Sequence, residues 1–329
     1  MTMKLAIDLM GSDDAPKSEL DGIKLALAAN SNIEVVGFGD EAAIKKYGFT
    51  HDRLSYVYTT EIIDGSDNAA TAFRTKKDAS MVRALQSVVD NETDGVLSSG
   101  NTGAYITSAL FMLGRIKGMK RPVFASTMPT MVAGKKVMFG DLGALVDATS
   151  ENLEQTAVVL SELAKILLQV ENPTVKLLNN GTEDKKGTKI YVETHQLLVQ
   201  NPKINFVGNI ESRYLMDGSC DVIVADGFAG NIALKAYEGM QKNYTTLLKK
   251  GLVKNLRTKI GALLIKPALQ EMKSALDYES VGGGIIVGVK APAIKVHGTT
   301  NGFQYASAIE LTKTLVEKDL INNIEQKIQ

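Results

Sequence analysis

The stretch DGVLSSGNTGAYITSALFMLGRI, residues 94–116, opens as an apolar run, spends residues 98–104 on SSGNTGA, and then carries apolar residues at helical spacing. An apolar run of strand length, a turn rich in glycine and hydroxyls, and a helix together make half of a βαβ unit. The same order recurs along the chain. KLAIDLM, IEVVGFG, LSYVYTT, DGVLSS, KKVMFGDLGA, TVKLLNN, INFVGNI and CDVIVADG read as strands, with longer helical stretches between most of them. Such alternation marks an α/β fold with a mostly parallel sheet. Several of these strands end in Gly, Ser, Asn or Asp, and open α/β sheets bind ligands beyond the carboxyl ends of their strands.

With 329 residues, 44% of them apolar, the chain can bury a substantial core. We expect one α/β catalytic domain over residues 1–329; the Gly-rich stretches NNGTEDKKGTK and SVGGGIIVGVKAPAIKVHG read as loops within it, not as hinges. Lysine plus arginine and aspartate plus glutamate each number 37, so no overall charge draws the chain to nucleic acid or membrane. The single cysteine, Cys220, excludes an internal disulfide and points to a reducing, cytoplasmic setting. MTMKLAIDLMGSDDAP has too short an apolar stretch for a signal peptide and reads as the first core strand.

Residues 239–270 lack any acidic side chain. Leu248, Leu252, Leu256, Ile260 and Leu264 recur every four positions among Lys249, Lys250, Lys254, Arg257, Lys259 and Lys266. This is a basic amphipathic helical excursion at about 240–270, broken near Gly251 or Gly261. It suits an anionic membrane or an acidic protein, and equally a core-facing helix with a solvated basic back.

Three loops carry the chemistry. In SSGNTGA, Gly100 and Gly103 permit close backbone approach, and Ser99, Asn101 and Thr102 stand at a helix start whose free N–H groups favour an anion. A tight turn with an N-cap would use the same residues. NNGTEDKKGTK presents Lys185 and Lys186, able to neutralise a phosphate or a developing oxyanion, or simply solvated. VADGFAGN places Asp226, Gly227, Gly230 and Asn231 between a strand and a helix, where Asn231 could bind substrate or cap the helix. The chain has no G-x-S-x-G elbow, no H-E-x-x-H pair, and no P-loop or dinucleotide fingerprint. His51 and His195 read as structural; His297, beside Gly298, Thr299 and Asn301, is the better functional candidate. Cys220 reads as a small residue entering a core strand.

Taken together, AIDLMGSDDAP (6–16), KKDASM (76–81), SSGNTGA (98–104), GRIKGMKRP (114–122), DLGALVDA (141–148), GTEDKKG (181–187), GNIESRYLMDG (208–218), DGFAGNIALKAYEG (226–239) and IKVHGTTN (294–301) resemble one family almost end to end. It is the bacterial phosphate:acyl-[acyl-carrier-protein] acyltransferases of phospholipid synthesis, the PlsX family. The resemblance implies a three-layer α/β/α, Rossmann-like fold, related to the isocitrate and isopropylmalate dehydrogenases and to phosphate acetyltransferases. It implies transfer of a long acyl chain from acyl carrier protein to inorganic phosphate, with no cofactor and no metal. It further implies a cytoplasmic homodimer, peripherally attached to the membrane, whose acyl phosphate serves a glycerol-3-phosphate acyltransferase.

By the same resemblance, Lys186 stands near the phosphate or thioester carbonyl, Asn231 donates to the oxyanion, and Asp13 and Arg213 organise the site. Ser99, Gly100, Asn101, Thr102, Gly103, Asp226, Gly227, Gly230 and His297 bind phosphate and substrate. Leu252, Leu256, Ile260 and Leu263, with Lys254 and Arg257, contact membrane or carrier. Two departures stand out: the family's GGDHAP is GSDDAP here, with Ser12 and Asp14, and Leu145 replaces a usual asparagine. The alternatives are a short-chain phosphate acetyltransferase using acyl-CoA and a non-catalytic membrane or carrier scaffold; a nicotinamide-dependent dehydrogenase ranks below both.

Overall fold

The computed structural model describes residues 2–275 and 282–328. The first half runs β1 (Met3–Asp8), α1 (Lys17–Ala29), β2 (Ile33–Gly39), α2 (Glu41–Tyr47), β3 (Leu54–Tyr58), α3 (Ala72–Thr75), α4 (Ser80–Val89), β4 (Gly95–Ser98) and α5 (Thr102–Leu113). Next come β5 (Val123–Pro129), β6 (Lys136–Gly140), α6 (Ser150–Leu168), β7 (Thr174–Asn179), α7 (Lys189–Gln200), β8 (Asn205–Glu211) and β9 (Val222–Val224). The chain closes with α8 (Gly227–Leu252), α9 (Leu256–Leu264), α10 (Lys266–Ala275), β10 (Gly284–Val287), β11 (Ala293–Lys295), α11 (Gly302–Glu317) and α12 (Leu320–Ile328).

All these strands join one sheet in the order β3-β2-β1-β4-β11-β10-β5-β6-β9-β7-β8. Alternate residues of β1 serve opposite faces. Leu5 and Ile7 pack with Ile23, Leu27, Leu160 and Ile309 from α1, α6 and α11, whereas Ala6 packs with Met81, Leu85 and Tyr105 from α4 and α5. On that second face, α8 covers the far half of the sheet through Leu234, against Phe139 and Ile223. Helices therefore sandwich the sheet, and the expected three-layer α/β/α architecture is present.

The sheet reverses direction in its middle. β3, β2, β1, β4 and β11 are mutually parallel, as are β6, β9, β7 and β8. Between these blocks the β11–β10, β10–β5 and β5–β6 pairings are antiparallel. An odd number of reversals leaves the two blocks pointing in opposite directions, so their carboxyl ends lie at opposite edges of the sheet. Each block also has a topological switch point: between β1 and β4 in the first, and between β7 and β9 in the second.

Three strands escape the hydrophobic pattern. β5 is VFASTMP, whose Ser126, Thr127 and Pro129 dilute the apolar run. β10 and β11 lie inside the stretch 280–298 expected to be a loop, whose first two residues fall outside the described ones. They are short and flanked by glycine or proline, and their pairing to β4 and β5 makes them strands.

The basic stretch is helical and breaks just after Gly251, where Asn255 caps α9 by accepting from the Thr258 N–H at 3.0 Å; Gly261 lies within α9. Its apolar row does not face the core. Leu256, Ile260 and Leu263 are 74%, 54% and 71% exposed, and Leu252 is half-buried, because α9 packs mainly against its neighbours α8 and α10.

Candidate active site

The first crevice opens at the β1/β4 switch point. Asn101 caps α5, its side chain accepting from the Ala104 N–H at 2.9 Å. Thr102 and Gly103 are exposed, and among the described residues their N–H groups have no acceptor. Capping therefore does not exclude an anion at SSGNTGA: the cap uses one N–H and leaves those of Thr102 and Gly103 unclaimed. A Cβ on Gly100 would fall 2.6 Å from the Met81 methyl carbon, so the Met81 side chain would have to shift to admit one. Asp13 donates its N–H to the Gly298 carbonyl at 2.9 Å, which joins the loop after β1 to His297. Both Asp13 and His297 are exposed, with His297 Nδ1 2.8 Å from the Thr299 hydroxyl. Asp14, at the departure from GGDHAP, is held by the Ser18 hydroxyl at 2.7 Å.

Beneath this surface lie three buried ionisable side chains that sequence reasoning missed. Asp8, at the end of β1, accepts from the Ser80 and Ser98 hydroxyls at 2.6 Å each and from the Met10 N–H at 3.0 Å. Burial still pushes its carboxyl up, against those donors and the pull of Lys295. Lys295, at the end of β11, donates to the Ser99 carbonyl at 3.2 Å and to the Val296 carbonyl. Burial pushes its ammonium down to about 8, Asp8 opposing and Lys235 assisting. Glu19, in the first turn of α1, accepts from the Ser99 hydroxyl at 2.8 Å, which turns that hydroxyl inward. The only sequence signal for Asp8 and Lys295 was their place at strand ends.

The second crevice opens at the β7/β9 switch point. Asp226 proves to be the cap of α8: Oδ1 accepts from the Phe228 and Ala229 N–H groups at 2.9 and 2.7 Å, and Oδ2 from the Tyr191 hydroxyl at 2.7 Å. Asn231 is therefore not the cap. It is exposed in the second turn of α8, its amide nitrogen 3.3 Å from where a Gly143 Cβ would stand. Gly227 and Gly230 serve packing, since a Cβ on either would meet the Leu145 carbonyl oxygen at 2.8 Å or that of Asp141 at 1.9 Å. Asp141, also missed, accepts from the Phe124, Gly143, Ala144 and Leu145 N–H groups and so shapes the 141–145 turn; burial raises its carboxyl and these donors counteract. Through that turn, Leu145 contributes its backbone to the site.

Lys186 lies in the exposed loop after β7, with Nζ a loose 3.7 Å from Glu183. The loop is anchored by Asn179, which donates to the Lys186 carbonyl at 3.0 Å, and by buried His195, bridging Asn209 and Asp184. Arg213, after β8, pairs with Glu211 and stacks over Tyr214 at the same edge. Cys220 is buried, its thiol pushed up to about 12 by desolvation.

No hydrogen bond or ion pair links the two crevices among the described residues. Helix α8 connects them instead. It starts at the second edge and runs back across the sheet, so that Lys235, one turn beyond Asn231 on the same side of the helix, acts electrostatically on Lys295 at the first.

A family profile described as "Fatty acid synthesis protein" matches residues 3–323. The chain belongs to this family. It is 46% identical to a phosphate acyltransferase of Streptococcus pneumoniae (strain 70585) over 319 residues, covering 97% of this chain and 96% of the relative. A second, from strain P1031, is 45% identical over the same span. Among solved structures, the EutD phosphotransacetylase from Staphylococcus aureus superposes with a TM-score of 0.60 at 14% identity, covering 96% of this chain and 94% of that one. A phosphotransacetylase from Streptococcus pyogenes gives 0.59 at 16%, covering 99% and 94%. At such identities the likeness is one of fold.

Proposed function

We propose that this protein transfers a long-chain acyl group from an acyl carrier protein thioester to inorganic phosphate, giving acyl phosphate and the free carrier thiol. One observation carries the reading: an exposed helix start with two unclaimed N–H groups at a switch point, in a chain 46% identical to a phosphate acyltransferase. Phosphate held there supplies its own nucleophilic oxygen, so no activated serine or cysteine is needed. That oxygen attacks the thioester carbonyl carbon, the C–S bond breaks, and the departing thiolate takes up a proton. Lys186 and Asn231, exposed and free of strong partners, stand at the second crevice, so on this reading the thioester lies along α8 between the crevices, its carbonyl oxygen toward these two donors and its carbonyl carbon toward the phosphate.

The exposed row Leu256, Ile260 and Leu263, with Lys254 and Arg257 beside it, supports peripheral attachment to an anionic membrane or to the acidic carrier. Among the described residues no helix is long and apolar enough to cross a membrane. On this reading the protein works as a cytoplasmic homodimer and hands acyl phosphate to a glycerol-3-phosphate acyltransferase.

The test incubates purified protein with palmitoyl-acyl carrier protein, with and without phosphate, and traps acyl phosphate with hydroxylamine. Phosphate-dependent product is expected. A folded protein that makes none refutes the proposal, and activity on acetyl-CoA with indifference to the carrier would replace it with the short-chain reaction.

A further inference from the structure

Glu19 is fully buried in the first turn of α1. Its Oε1 accepts from the Ser12 N–H at 3.1 Å and from the Ser99 hydroxyl at 2.8 Å, which lie on the two loops forming the first crevice. Those loops are in backbone contact, since a Cβ on Gly11 would fall 2.3 Å from the Gly100 nitrogen. Ser99 is gripped twice, by Glu19 at its hydroxyl and by Lys295 at its carbonyl, immediately before the residues that start α5. We propose that Glu19 is a positioning residue, a single buried carboxyl that cross-links the loops after β1 and β4 and so sets where the anion-binding start of α5 stands. The role concerns phosphate placement and rests on the proposed phosphate site.

The surroundings disfavour the charged form of that carboxyl. Its Oε2 is buried with no hydrogen-bond partner, a position that a lone negative charge cannot hold cheaply. The ionisable groups facing it are Asp8 from β1 and Tyr305 from α11, neither of them cationic; Lys295 from β11 is engaged with the Ser99 and Val296 carbonyls. Burial, helped by Asp8, pushes the Glu19 carboxyl up, and the Ser12 and Ser99 donors only partly offset this. Glu19 is 0% exposed, and α1 packs closely on α11 there: a Cβ on Gly22 of α1 would lie 2.6 Å from the Tyr305 Cβ. Below its raised pKa Glu19 is a neutral cross-link. Above it, a negative charge appears under a site built for an anion.

Calorimetric titration of the full chain with inorganic phosphate tests this without depending on acyl transfer. Glu19→Ala should weaken phosphate binding about tenfold, as expected for losing one buried hydrogen-bonded link, while Glu19→Gln, neutral and nearly isosteric, stays near the parent. The parent should lose affinity more steeply than Glu19→Gln as pH rises, phosphate's own ionisation being common to both. Ser99→Ala, which removes one donor and leaves the carboxyl in place, covers the case in which Glu19→Ala does not fold, and the double variant should lose no more than Glu19→Ala alone. Undiminished binding by Glu19→Ala, loss in Glu19→Gln equal to that in Glu19→Ala, identical pH profiles, or unchanged binding by Ser99→Ala would each overturn the proposal. Should the parent bind no phosphate, this inference fails together with the phosphate site. Should it bind phosphate but make no acyl phosphate, only the proposed reaction fails.

Discussion

Replacing Lys295 by methionine should change how the stability of this protein depends on pH. Lys295 is 7% exposed, and its ammonium is held under the SSGNTGA loop by the Ser99 and Val296 carbonyls. Burial lowers it from 10.5 to about 8. At about 1.4 kcal/mol per tenfold change, keeping it charged in the fold costs about 3 kcal/mol. The sign follows from proton counting. Between about pH 8 and the ordinary lysine value the unfolded chain binds the proton and the folded chain has released it, so the group's contribution to stability rises with pH. Below about pH 8 both states are protonated and the full penalty is present. Lys295→Met removes this titration while keeping a side chain of similar length. From about pH 7 to about pH 10, the parent should therefore gain up to about 3 kcal/mol of unfolding free energy relative to the variant. Urea denaturation of both proteins across that range, with midpoints and slopes fitted at each pH, measures the difference. Parallel curves would refute the reasoning and mean that Lys295 is solvated or neutral in the fold at all these pH values.

Lys186→Ala should lower turnover on the order of 10²-fold, the usual scale for losing a transition-state donor, and leave the melting temperature unchanged because its only ion pair among the described residues is loose and exposed; wild-type kcat would remove Lys186 from the mechanism. Gly230→Ala should destabilise by about 1–3 kcal/mol through overpacking, since its Cβ meets the Asp141 carbonyl oxygen at 1.9 Å and no rotamer relieves a backbone clash. A thermal melt superposable on the parent's would contradict that contact. Serine at Leu256 and Leu263 together should abolish flotation with anionic vesicles while the fold stays intact, both side chains being more than two-thirds exposed; undiminished, salt-insensitive flotation would locate membrane binding elsewhere.

Eight strands were legible as short runs rich in aliphatic residues, most plainly where a strand is buried on both faces, as in β9. β5, β10 and β11 were not, because their identity comes from partners: Ile285 and Ile286 sit between two short Gly-bounded turns and become strand only by pairing with β5 and β11. The loops SSGNTGA, GTEDKKG and DGFAGN announced themselves through glycine and hydroxyl content at strand ends. Asp226 and Asn231 illustrate the limit. Five residues apart in the sequence, they have different duties, cap and free amide, that depend on where the first turn of α8 begins.

By itself, then, the sequence determined the α/β class, the family, and the loops at which the chemistry is assembled, since these follow from local pattern and residue type. Tertiary structure alone decided that the sheet reverses in its middle, which separates those loops into two crevices at opposite edges with α8 running between them. It alone decided that Asp8, Glu19 and Lys295 are buried under the first crevice, and that the apolar row of α9 faces outward. The physical reason is the same throughout. Strand direction, desolvation of a charge and exposure of an apolar face are relations between segments far apart in the chain, and a residue's identity does not encode which neighbours will exclude its water.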